Sequence, residues 1–229
     1  MRNGTPPDKR LPTWLKRPKD LRGLRDIRLK LREAALHTVC EEARCPNLAE
    51  CFARRDATFL ILGHTCTRTC AFCGIDQGTP QPLDHGEPSR VAAAAESLGL
   101  RHVVITSVTR DDLPDMGAQA FADTIAQVRH RLPAATVEVL TPDFGGSSSA
   151  LETVLKAGPD CFGHNMETVP SLYGRVRPEA DFERSLTVLS RARSFQPGMM
   201  IKSGFMVGLG ETQDEIRELI LRMHGAGID

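Results

Sequence analysis

Thr58-Phe59-Leu60-Ile61-Leu62-Gly63, followed at once by His64-Thr65-Cys66-Thr67-Arg68-Thr69-Cys70-Ala71-Phe72-Cys73, decides the fold of this chain. The apolar run ends at a glycine and has the length of a buried strand. The three cysteines behind it therefore sit on the loop that leaves the strand. Downstream, the same grammar recurs in alternation with helices. Glu87 to Leu98 is an Ala-rich helix, opened by Pro88 and Ser89 and closed by Gly99. His102 to Thr106 reads as a second strand, Ala118 to Arg131 as a helix, and Thr136 to Leu140 as a third strand. Ser147-Ser148-Ser149 caps a helix running to Ala157. Asp160 to His164 is a weaker fourth strand, and Phe182 to Ser194 a helix. Met199 begins a fifth strand that continues to Met206, and Thr212 caps a last helix running to His224.

Strands alternating with helices of this size mean βαβ units and a parallel sheet. No GxGxxG follows the first strand, and Gly208-Leu209-Gly210-Glu211 lacks the third glycine, so it reads as a turn. The fold class expected is α/β, a TIM-like barrel rather than a dinucleotide-binding sheet, with catalytic groups at the C-terminal ends of the strands. Ahead of it, residues 1–20 read as an irregular basic arm. Leu24, Ile27, Leu31, Ala34 and Ala35 recur at helical spacing, with breaks at the cysteines and Pro46. This divides the chain into an arm and helical extension over 1–56 and a barrel over 57–229. Leu98-Gly99-Leu100-Arg101 and Ala157-Gly158-Pro159-Asp160 each lead into a strand, and the chain stops at Ala226-Gly227-Ile228-Asp229. By that grammar five βα units are present and a sixth strand is expected next, so the chain reads as C-terminally incomplete.

Composition narrows the function classes. Lys plus Arg number 29 and Asp plus Glu 29, so no net basic field exists to hold nucleic acid. No stretch approaches the roughly 18 apolar residues that span a bilayer, and the N-terminus carries no apolar signal run. The expected location is the cytoplasm, with no nucleic-acid or membrane partner. The seven cysteines are an odd number and clustered: Cys40, Cys45 and Cys51, then Cys66, Cys70 and Cys73, with Cys161 alone as a buried structural thiol. Clustered thiols without an export route favour metal over disulfide. Three tight thiolates on one loop suit an iron–sulfur cluster with one iron left open; a zinc site would need a fourth ligand, with His64 the near candidate.

The C-x3-C-x2-C spacing with Phe72 before the last cysteine resembles the signature of radical S-adenosylmethionine enzymes. The resemblance implies that Cys66, Cys70 and Cys73 hold a 4Fe–4S cluster whose open iron chelates S-adenosylmethionine. An electron then splits the sulfonium, giving a radical that removes unactivated hydrogen. Cys40-Glu41-Glu42-Ala43-Arg44-Cys45-Pro46-Asn47-Leu48-Ala49-Glu50-Cys51, after Thr38-Val39, is similar to the auxiliary-cluster motif of the lipoyl synthase family. The likeness continues through Arg110-Asp111-Asp112-Leu113-Pro114-Asp115, Pro142-Asp143-Phe144, His164-Asn165-Met166-Glu167-Thr168-Val169, Val176-Arg177-Pro178 and Lys202-Ser203-Gly204. It implies insertion of two sulfur atoms at C6 and C8 of a protein-bound octanoyl-lysine, with a second 4Fe–4S cluster on Cys40, Cys45 and Cys51 as sulfur donor. The partners implied are an octanoylated lipoyl carrier domain (a glycine cleavage H protein or a dehydrogenase E2 subunit) and an electron donor such as flavodoxin or ferredoxin.

Thr106, Ser107, Asn165 and Glu167 end strands and are candidates to hold S-adenosylmethionine, and Arg177 and Lys202 to pair with a carboxylate. Arg110 to Asp115 is a candidate to close the mouth over the ligand. The sequence departs from the family at His64 and Thr109, where Asp is usual, at Met116 for Gly, and at Phe52 for Trp. The Arg-Ser-Ser-Tyr segment that gives the auxiliary cluster its fourth ligand is absent. The competing readings are another radical sulfur-inserting enzyme, a truncated paralogue that binds a cluster without completing sulfur insertion, and a zinc-binding interaction module.

Overall fold

In a computed structural model, residues 21–42, 50, 51, 54 and 56–229 are described. The chain enters through helix α1 (Leu21–Glu33), a two-residue strand β1 (His37–Thr38) and a short helix α2 (Val39–Glu42). Strand β2 (Asp56–Ile61) follows, and the cysteine loop carries two short paired strands, β3 (Thr65–Cys66) and β4 (Asp76–Gln77). Then come α3 (Glu87–Ser97), β5 (His102–Ser107), α4 (Ala118–Arg131), β6 (Thr136–Leu140), α5 (Ser148–Lys156) and β7 (Cys161–Gly163). The short α6 (Tyr173–Val176), α7 (Phe182–Phe195), β8 (Met200–Lys202) and α8 (Gln213–Gly225) complete the described chain.

The main sheet runs β1-β2-β5-β6-β7-β8, parallel throughout except for β1 against β2. Register puts Phe59, Ile105, Val139, Phe162 and Ile201 in one row, all fully buried. That row packs in one core with Val91, Phe121, Ile125, Leu151, Val154 and Leu189 from the helices. In α4 the buried positions Phe121, Thr124, Ile125 and Val128 keep helical spacing. The opposite face carries Thr58, Val104, Glu138, Cys161 and Met200 in one row and Leu60, Thr106, Leu140, Gly163 and Lys202 in the next.

Short polar side chains cap α5, α7 and α8, whereas α3 and α4 start at Gly86 and Gly117 with no side-chain cap. Ser147 accepts from Ala150 N, Asp181 from Arg184 N, and Thr212 forms a reciprocal capping box with Glu215. A recurring device closes the βα units. Asp160 accepts from Val137 N at 2.7 Å and pairs with Arg129 at 2.6 Å. Asp229 does the same with Ile201 N at 2.8 Å and Arg193 at 2.5 Å.

Three readings change. The fifth strand is shorter than expected: β8 ends at Lys202, and beyond it Phe205 makes only an isolated parallel bridge to Glu167. The entry segment is not only helical: β1 pairs antiparallel with β2. The loop strands β3 and β4 are two residues each and leave no period in the sequence. Among the described residues no helix is long and apolar enough to cross a membrane.

Candidate functional site

The cysteine loop leaves β2 through Leu62 and Gly63, both at positive φ, 69° and 87°. Cys66 is held in β3, where Gly78 N donates to its carbonyl. Its sulfur accepts from Thr109 N at 3.3 Å and Arg68 N at 3.5 Å. Cys73 N donates to Cys70 O at 3.1 Å, closing the second half of the loop as a turn. Cys66 and Cys70 are half-buried and Cys73 is exposed. Burial pushes the Cys70 thiol up, Arg177 opposes this, and Cys66 and Cys73 push it further up. Cys70 therefore lies within electrostatic reach of both other thiols. Among the described residues no three His, Cys, Asp or Glu side chains close on a single-ion site. A structural zinc ion takes four ligands, whereas three thiolates on one wrapping loop are the donor set that a multi-iron cluster with an open iron uses.

Beside the loop, the ends of β5, β6 and β7 border a cleft of about 130 Å3 lined by Thr106, Ser107, Thr109, Thr141, His164, Asn165, Glu167 and Arg177. A larger cavity of about 590 Å3 is lined by Arg28, Arg32, His37, Glu41 and Glu42 of the entry segment. The smaller cleft has the chemistry. Ser107 Oγ, His164 Nε2 and Arg177 Nε are buried there without a partner among the described residues. Buried polar atoms left unpaired cost about 1–3 kcal/mol each, so the cleft is shaped for a polar ligand with donors and acceptors of its own. His164 Nδ1 donates to the Thr141 carbonyl at 2.8 Å, which leaves Nε2 as an acceptor. Burial holds this imidazole down to about 4, hence neutral.

Glu167 sits at φ 64°, a strained position for a residue with a side chain, held by bonds from its N to Gly204 O and from Met206 N to its O. Burial raises its carboxyl, against a hydrogen bond from Asn165 and the charge of Arg177. Arg177 donates to Asn165 O at 2.9 Å and stacks on Tyr173. Thr106 donates to Leu140 O at 2.7 Å. Five of the six cofactor candidates (Thr106, Ser107, Asn165, Glu167 and Arg177) thus line one cleft. Lys202 is not among them: its ammonium pairs with Glu138 at 2.6 Å, and His102 meets the same carboxylate at 3.1 Å. Arg110 to Asp115 braces the structure. Arg110 is buried on Asp112 and the Leu62 carbonyl, Asp111 holds Arg68, and Asp115 accepts from Gly117 N and Gln119 N.

Of the first trio, Cys40 is buried and Cys51 half-buried, and Cys45 lies outside the described residues. His37, in β1, packs its ring 4.9 Å from that of His64, which joins this segment to the start of the cysteine loop. Cys161 faces Glu138 across paired strands, and burial pushes its thiol up to about 11.

Residues 60–223 match the Radical SAM superfamily. The chain is 56% identical over 220 residues to a lipoyl synthase of Rubrobacter xylanophilus, covering 95% of this chain and 68% of that one. It is 57% identical over 212 residues to a lipoyl synthase of Oleidesulfovibrio alaskensis, covering 92% and 72%. Among solved structures it resembles methylornithine synthase PylB (TM-score 0.55, 16% identity, 90% and 62% covered). It also resembles Streptococcus suis SuiB bound to S-adenosylmethionine (TM-score 0.57, 13% identity, 90% and 49% covered). At such identities these two support the fold alone.

Proposed function

We infer the function from a family premise: the chain belongs to the radical SAM superfamily and, within it, to the lipoyl synthases. We propose that it inserts two sulfur atoms, at C6 and C8, into an octanoyl chain amide-linked to a lysine of a carrier protein. The observation that carries this reading is the loop of Cys66, Cys70 and Cys73 beside a cleft whose buried polar atoms lack partners. When bound, a 4Fe–4S cluster with S-adenosylmethionine supplies the radical that takes hydrogen from unactivated carbon, and a second 4Fe–4S cluster supplies the sulfur.

The chain's own residues do the rest. Cys66, Cys70 and Cys73 would hold the first cluster as thiolates. Three ligands would leave one iron open, and the neighbouring cleft would offer Thr106, Ser107, Asn165, Glu167 and Arg177 to S-adenosylmethionine. Ser107 Oγ and Arg177 Nε can donate to it, and Glu167 and His164 Nε2 can accept. Lys202 neutralises Glu138 on the open face of the sheet. Cys40, Cys45 and Cys51 are proposed as ligands of the sulfur-donating cluster, in an extension over 1–56 that precedes a barrel over 57–229. The barrel is proposed as five of the six βα units of a radical SAM (β/α)6 fold. Lipoyl synthases act on an octanoylated carrier and need a reductant; here the carrier is proposed to be a glycine cleavage H protein or a dehydrogenase E2 subunit, and the reductant a flavodoxin or ferredoxin. A reducing cytoplasm suits six ligand thiolates.

Anaerobic reconstitution tests the reading. About eight irons per chain are expected for two four-iron clusters, with 5′-deoxyadenosine and a dithiolane mass shift on an octanoylated carrier peptide. Zinc without charge-transfer absorption, or neither product, would overturn it. About four irons with deoxyadenosine alone would favour a chain that binds one cluster and does not complete sulfur insertion.

A further inference from the structure

We propose that Arg68 is a positioning residue that sets the hydrogen bond on the Cys66 sulfur and thereby the reduction potential of the cluster this loop holds. The inference rests on the reading of Cys66, Cys70 and Cys73 as ligands. Arg68 lies midway between the first two cysteines and is 6% exposed, although Thr69, Ala71, Phe72 and Cys73 around it are exposed. A charge turned inward from a surface loop needs partners, and it has two. Its Nε and Nη2 both donate to Asp111 at 2.8 Å, and Nη2 also donates to Asp143 at 2.7 Å. Asp143 is fully buried, accepts from Gly145 N at 3.1 Å and meets Arg184 of α7 at 3.3 Å.

The far end of this clamp returns to the sulfur. Asp111 stands two residues from Thr109, whose N–H donates to Cys66 Sγ at 3.3 Å. The same segment is stitched to the loop by Thr67, whose N and Oγ1 both donate to Thr109 O, each at 3.1 Å. Arg68 therefore helps to fix the segment that supplies the shorter of the sulfur's two N–H donors; its own N–H, at 3.5 Å, is the other. Hydrogen bonds to cluster sulfurs are among the levers that set potential, because they favour the more negative, reduced state. A bidentate guanidinium can hold Asp111 in one orientation; an ammonium carries the same charge without the fork.

That difference gives the test. In the full chain carrying Cys40→Ala, Cys45→Ala and Cys51→Ala, only the cluster on the remaining trio is expected, at about four irons. Redox titration followed by electron paramagnetic resonance then compares Arg68 with Arg68→Lys and Asp111→Ala, alongside the rate of iron release to a chelator. A clamp predicts a more negative potential and at least threefold faster iron release in both variants. Arg129→Gln, which breaks an ion pair elsewhere, should lower the unfolding temperature and leave both readouts alone. An unchanged potential in Arg68→Lys, or a potential that rises in Asp111→Ala as simple removal of a negative charge predicts, would overturn the proposal. If Arg68→Lys does not fold, Asp111→Ala decides by the same two readouts, since Asp111 is 39% exposed and its loss leaves Arg68 on Asp143. A parent that takes up no iron would overturn the ligand assignment and this inference together.

Discussion

Replacing Asp143 with Ala removes a carboxylate that is wholly buried at the junction of three segments. Arg68 loses one of its two partners, Arg184 loses its contact at 3.3 Å, and Gly145 N loses its cap. Breaking one side of a buried ion pair costs about 3–5 kcal/mol when the other charge stays unpaired. Here Arg68 keeps both bonds to Asp111, and Arg184 is about a third exposed, so the low end, about 3 kcal/mol, applies. In a domain of this size each kcal/mol moves the melting point by about 2–4 °C, which gives a fall of about 6–12 °C. Asp143→Asn keeps the shape and one acceptor oxygen and should lose about half as much. The pH dependence adds a signed check. Burial raises the Asp143 carboxyl, but the hydrogen bond and charge of Arg68 overcome it and hold it below the ordinary range. A depressed folded value means that the carboxylate's stabilisation is fully present above its unfolded value, about 3.9, and disappears as pH falls through the folded value. The gap between wild type and Asp143→Asn should therefore narrow below about pH 4. Anaerobic thermal unfolding followed by circular dichroism at neutral and acid pH measures both. A drop under about 2 °C for Asp143→Ala, or a gap that widens with acid, would refute the reasoning.

Cys66→Ala, Cys70→Ala or Cys73→Ala should abolish 5′-deoxyadenosine formation. Cys40→Ala, Cys45→Ala or Cys51→Ala should spare some of it and stop sulfur transfer, read by chromatography and by the mass of the carrier peptide. Asn165→Ala and Glu167→Gln should each weaken S-adenosylmethionine about tenfold, or about 1.4 kcal/mol, measured by calorimetry on the reconstituted protein; unchanged binding would remove them from the site. Thr212→Ala breaks a capping box at an exposed helix start and should cost about 1 kcal/mol with no effect on cleavage, which denaturant unfolding reads directly.

What was legible in the sequence was local. Phe59, Ile61, Val103, Ile105, Val137 and Val139 announce strands because helices cover one face and push those positions to full burial. Cys66, Cys70 and Cys73 announce a candidate site because three thiols fall on one short loop behind a strand. The rest was illegible for a single reason, distance along the chain. Lys202 reads as a cation that can pair with a carboxylate, and the sequence does not show that the fold sets Glu138, 64 residues away, beside it. Arg110 to Asp115 reads as a segment that can close over a ligand, and the sequence does not show its ties: Asp111 to Arg68, 43 residues away, and Arg110 to the Leu62 carbonyl. Arg68 itself reads as an ordinary surface charge between two cysteines; only Asp143, 75 residues on, turns it inward. Asp111, Asp143 and Glu138 come from the loops that follow β5 and β6 or from β6 itself, and Leu62 and Arg68 from the loop that follows β2. Parallel strands bring such positions side by side at one edge of the sheet while keeping them a whole βα unit apart in sequence. A reactive centre at that edge takes its ligands from one loop, which the sequence displays. It takes the orientation of that loop from several others, which only the fold displays. The charged residues between and beyond the cysteines are therefore where substitutions should change the behaviour of the site without touching a ligand.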